Sequence, residues 1–156
     1  MYKRQALESL GWTITAIFTS GLSDRLEPRL IRLGAVLVSV SMFGLIYAMP
    51  AGPLWLIALF AAIMGIGFGM SWSFVSKRII SNVPEAERTR GSASIPTLMR
   101  VAMALGSALS VIIANYSGFS EASSVFVAQN VAFWCFAAFT PLMFVGLLTA
   151  WHVSRG

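Results

Sequence analysis

Charge is what this sequence has least of. Only 11% of its 156 residues are Asp, Glu, Lys or Arg, against roughly a quarter in an ordinary soluble domain. Cysteine occurs once, as Cys135 inside an apolar run, which excludes an internal disulfide and a cysteine metal cluster. Histidine also occurs once, at His152 near the C-terminus, so a histidine-based metal or catalytic site has almost no material. Neither catalytic nor metal-binding residues are expected, and no cofactor. A membrane enzyme would need His, Asp or Glu gathered near one membrane face, and the sequence offers no such group.

What it has in excess is hydrocarbon. Hydrophobic residues make up 57% of the chain, with 13 Gly, 8 Met and 11 Phe. A soluble fold this apolar would expose large patches and aggregate, whereas the same composition suits helices packed closely in lipid. The net charge of +5 does not point to nucleic acid, because the positive residues form no stripe interleaved with aromatics. They fall in short loops between apolar runs, the pattern of topology signals.

A helix needs about 20 mostly apolar residues to cross a bilayer. By that measure the chain is expected to be an all-α membrane protein of about five spans, near 6–22, 30–49, 54–75, 95–115 and 125–151. Pro50-Ala51-Gly52-Pro53 is read as ending the second span. Residues 76–94 are read as a polar loop, with Ser94 capping the fourth helix and Pro96 in its first turn. Pro141 falls inside the fifth span and is expected to kink it. Arg25, Arg29, Arg32, Lys77, Arg78, Arg88, Arg90 and Arg155 all fall on one side of this arrangement, while the loops on the other side hold no Lys or Arg. That bias puts the basic loops and the C-terminus in the cytoplasm, with the bacterial inner membrane as the setting. The opening residues 1–5 carry Lys3 and Arg4 on the wrong side and cut the first helix short. They are expected to be an artefactual, non-native start, with 6–156 as the transmembrane bundle.

The stretch Gly21-Leu22-Ser23-Asp24-Arg25-Leu26-Glu27-Pro28-Arg29 is a tight turn between two spans. It resembles the signature loop of the major facilitator superfamily, G-x-x-x-D-R-x-G-R-R, in its second-half copy. Asp24 and Arg25 match the D-R pair, Leu22 the apolar position and Arg29 a terminal basic residue. Ser20 and Glu27 stand where the two glycines are expected. Val83-Pro84-Glu85, Arg90-Gly91-Ser92-Ala93-Ser94, Arg100 and Gly106 resemble the corresponding region of proton-coupled multidrug exporters in that superfamily. The resemblance implies helices eight to twelve of a twelve-helix carrier, part of its C-terminal six-helix bundle. Implied partners are the lipid bilayer, a small hydrophobic or drug-like substrate, protons, and an N-terminal half of the same carrier. It further implies that Asp24, Arg25 and Arg29 form a cytoplasmic latch; alternatively they are solvated anchors that fix topology.

Other residues are read from spacing. Gly65 and Gly69 fall four apart on one helix face around Gly67, and Ala102 and Gly106 repeat the spacing on the fourth helix. Small residues at that interval allow close helix packing; a nucleotide loop is excluded because no strand precedes the glycines. Glu8 lies 14 residues before Leu22, roughly 21 Å along a helix and near the middle of a ~30 Å core. An acid at that depth marks a proton or substrate path by default, with Trp12 and Thr15 on the same face; alternatively it is an interfacial charge. Gln129, Asn130 and Trp134 on the fifth span complete the candidate pathway. The competing reading of the whole chain is a small membrane scaffold or assembly protein whose glycine faces are an interface.

Overall fold

A computed structural model describes residues 2–22, 24–119 and 124–155, and among these every side chain except those of residues 2–7, 20, 24 and 51. The chain forms six α-helices and, among the described residues, no strand: α1 (Tyr2–Ser20), α2 (Glu27–Ala51), α3 (Leu54–Ser81), α4 (Arg88–Tyr116), α5 (Val125–Ala137) and α6 (Thr140–Val153). Four stretches are long and apolar enough to cross a membrane: α2, α3, α4 with the turn before it, and α5–α6 taken together. The helix α1 falls short of that standard because Lys3, Arg4, Glu8 and three threonines share its 19 residues.

The helices overrun the spans expected from hydropathy. α3 continues through Lys77 and Arg78 to Ser81, and α4 already begins at Arg88. The loop read over 76–94 therefore shrinks to Asn82–Glu87, half of it the single 3-10 turn Glu85–Glu87 behind Pro84. Apolar length measures the membrane, not the helix, and Lys and Arg are good helix formers once outside it. Ser94 is accordingly no cap: its hydroxyl donates back to Gly91 O at 2.7 Å. Pro96 lies in the body of α4, beyond the first turn. Pro50 likewise sits inside α2, whose true end is Gly52, extended at ψ 157° with its N–H on Ala48 O at 2.8 Å. The fifth span breaks in two at Ala138–Phe139, and Pro141 falls in the first turn of α6. Proline there lacks an N–H and crowds the carbonyl four residues back, which ends α5.

Helix α3 is the centre of the packing, lying along α1 on one side and α2 on the other. α2 also meets α5 and α6; α4 rests mainly on α5, with lighter contact to α3. The Gly65–Gly69 run serves both neighbours of α3. A Cβ on Gly69 would lie 2.6 Å from Trp12 O, and one on Gly65 would collide with Glu8 O, both on α1. Gly67, two residues on and so turned about 200°, meets α2 instead, 2.8 Å from Gly34 O. Gly44 of α2 gives way to the Phe60 ring of α3. Gly106 meets nothing within 4 Å, and Ala102 is exposed. The outward faces are apolar: Leu33, Val40, Tyr47, Leu98, Val111 and Leu148 are among many large side chains left exposed.

Candidate functional site

Three groups of polar and aromatic side chains occupy distinct places. The first lies on α1 against α3. Trp12 stacks on Phe68 with ring centroids 5.8 Å apart and 21° between planes, and meets Trp72 edge-on at 6.2 Å. Glu8 is half-buried, its backbone against Gly65, and Thr15 packs its Cβ against Gly69. Below them Thr19, buried, donates to Thr15 O at 2.8 Å and reaches Gly69 O at 3.4 Å. Glycine on α3 is what lets these α1 residues come so close.

The second group lies between α4 and α5. Asn130 and Trp134 line an open cleft of about 380 Å³ with Ile112, Ile113, Tyr116, Ser117 and Ala138. Asn130 Nδ2 donates to Ser117 O at 3.4 Å, and Trp134 meets Phe133 edge-on at 5.4 Å. Gln129 is half-buried beside them but does not line the cleft. That cleft includes none of Glu8, Trp12 and Thr15, so the six pathway residues stand in two groups on this chain.

The third group lies at the basic end. The turn Asp24–Leu26 leads into α2, with Arg25 and Arg29 exposed; the Asp24 side chain and Ser23 lie outside the described residues. Just beyond is a cluster in which Arg32 and Arg78, expected from the sequence as topology signals, make specific side-chain bonds. Arg78 of α3 donates through Nε to Glu27 Oε1 of α2 and through Nη1 to the Val153 carbonyl of α6. Arg32 of α2 donates Nε to Ser154 Oγ at 2.7 Å and Nη2 to Ser154 O at 3.3 Å, while its guanidinium lies 5.6 Å from the Trp151 ring centroid. Glu27 and Ser154 are buried, 7% and 4% exposed. The electrostatics are doubly favourable. Glu27 stands in the first turn of α2, where the helix dipole favours an anion, and the arginines meet the carbonyl end of α6, where it favours cations. The trace of this clasp in the sequence is Glu27 itself, an acid in the position where the loop pattern has glycine.

Among the described residues no three His, Cys, Asp or Glu are placed to hold a metal ion.

Long apolar helices, an apolar outer surface and charges gathered at helix ends define an integral membrane protein of several spans. The chain belongs to the Major Facilitator Superfamily, whose model matches residues 6–155. At the level of that family it is a membrane transporter and not an enzyme. No curated protein and no solved structure matches the chain.

Proposed function

We propose that this chain is helices eight to twelve of a carrier that exports a small hydrophobic or drug-like compound in exchange for protons. An N-terminal half of the same carrier would close the other side of one central cavity, and rocking of the two halves would expose it alternately to each compartment. The observation that carries this reading is the half-buried Glu8 on a helix packed flank to flank against glycines and aromatics of α3. A half-buried acid at this depth of a membrane protein marks a proton or substrate path by default. In this reading it exchanges a proton for a cationic substrate, the proton leaving to water as the cation binds. Trp12, one turn along, offers a ring face for stacking, and Asn130 and Trp134 line the route from the other group, with Gln129 beside them. Asp24, Arg25 and Arg29 then latch the cytoplasmic ends of the two halves, and the lysine and arginine bias sets the C-terminus in the cytoplasm of a bacterial cell.

The test is counterflow in proteoliposomes holding the full-length carrier under an imposed pH gradient. Glu8→Gln is expected to abolish gradient-driven export while leaving substrate binding in place. Coupled export that persists in Glu8→Gln would remove the proton role. Asp24→Asn is expected to slow turnover without changing which substrates are carried; unchanged turnover would leave the loop as a topological anchor only.

A further inference from the structure

A cleft of about 630 Å³ runs between α2, α3 and α6. Its walls run from Ile31 to Met42 on α2 and from Met64 to Val75 on α3, with Gly146 and Leu147 of α6 opposite. The only polar side chains among its lining residues are three hydroxyls, and each donates to its own helix. Ser39 gives its proton to Ala35 O at 2.8 Å, Ser71 to Gly67 O at 3.0 Å and Thr149 to Val145 O at 2.7 Å. The lining therefore has no hydroxyl proton left for a polar ligand, and it accepts hydrocarbon.

Its length and its two ends specify which hydrocarbon. The eleven-residue separation of Ile31 and Met42 is about 16 Å of helix, half of a ~30 Å bilayer core and so one leaflet deep. At the inner end α2 and α3 close on each other, where Gly44 meets the Phe60 ring and Ser41 bonds the Phe60 carbonyl. A further transmembrane helix would need the full thickness, and along α2 this groove runs about half of it. At the other end Ile31 and Val153 border the clasp, where Arg32 and Arg78 face one acid, Glu27, and the Arg32 guanidinium lies over the Trp151 ring. Arg29 and Arg155 are exposed nearby in sequence. Among the described side chains the mouth is net positive. A guanidinium carries five donors, so the two bonds that Arg32 makes to Ser154 leave it able to hold a phosphate as well.

We propose that this groove binds one acyl chain of an anionic phospholipid from the leaflet at the basic end, with the phosphate held at Arg32. The proposal rests on membrane insertion and not on the transport reading, so the two fail separately.

The experiment uses the purified, delipidated protein in detergent, titrated with phosphatidylglycerol or phosphatidylcholine of identical chains and followed by native mass spectrometry. The first phosphatidylglycerol is expected to bind about fivefold tighter than phosphatidylcholine, the ratio expected for one net positive charge at the headgroup. Gly146→Phe, at a position with nothing within 4 Å of an added Cβ, is expected to remove that first adduct and leave later ones unchanged. Arg32→Gln is expected to keep the adduct and lose the headgroup preference. A second measurement needs no variant: phosphatidylglycerol with a photoreactive group at mid-chain is expected to label peptides around Met42, Met64 and Gly146. Equal affinity for the two lipids would overturn the headgroup assignment. Labelling elsewhere, or a dimer that excludes label from these peptides, would overturn the groove.

Discussion

Glu27 and Arg78 are separated by 51 residues in sequence and yet hold three helices with one guanidinium. The side chains are 10% and 26% exposed, so solvent screens the pair only in part. A hydrogen bond to a charged group contributes about 1.5–3 kcal/mol when sheltered, and partial exposure moves the expectation to the lower end. Glu27→Gln keeps the shape and deletes the charge. It is expected to destabilise the protein by about 1–2 kcal/mol, seen as a lower melting temperature in detergent. Arg29→Gln, two residues on but exposed, is expected to stay within about 0.5 kcal/mol of the parent. If both variants melt alike, the clasp contributes nothing and the arginines are anchors only.

At the scale of the helix, glycine is tested by its neighbours and not by its type. Gly67 and Gly34 face each other across the α2–α3 interface, where a Cβ on either would fall within 2.8 Å of the other's carbonyl oxygen. Gly67→Leu forces the two backbones apart, and overpacking of this kind costs about 1–3 kcal/mol or more. Gly106→Ala meets nothing within 4 Å and is expected to be neutral or to gain up to about 1 kcal/mol of helix propensity. Thermal unfolding of the two variants side by side checks the contrast; a Gly67→Leu protein as stable as the parent would mean that α2 and α3 do not touch there. Pro141→Ala restores an N–H and is expected to fuse α5 and α6, lengthening the distance between spin labels at Val127 and Thr149.

These elements also mark what could be read from the chain. The apolar runs of α2 to α6 and a disturbance at Pro141 were legible, because hydrocarbon length and a missing N–H act locally, though a kink was expected where the helix divides in two. Helix ends were not, since Lys77, Arg78, Arg88 and Arg90 leave the bilayer while remaining helical. The packing partners of Gly65, Gly67 and Gly69 needed coordinates, because an i, i+4 spacing names a face and not the neighbour it meets. The clasp was illegible for the same reason: Glu27, Arg32, Arg78 and Ser154 are single charges and hydroxyls whose meeting depends on how three helices stack.

For the whole molecule the deciding quantity is the side on which the arginines lie. Short loops rich in Lys and Arg are retained on the cytoplasmic face, and that bias sets the orientation of the helices between them. The turn at Gly52–Pro53 has no basic residue within it, whereas the Asn82–Glu87 turn is flanked by Lys77, Arg78, Arg88 and Arg90. α3 runs 28 residues between these two turns, about 42 Å at ~1.5 Å per residue, enough to carry its ends past both edges of a ~30 Å core. The two turns must then lie in different compartments. With Cys135 replaced by Ala, a cysteine at Gly52 is expected to react with a membrane-impermeant maleimide added to intact cells. A cysteine at Arg88 is expected to react only after the membrane is opened. Reaction of both from one side would mean that α3 does not span, and the basic clasp would lose its place at a membrane surface.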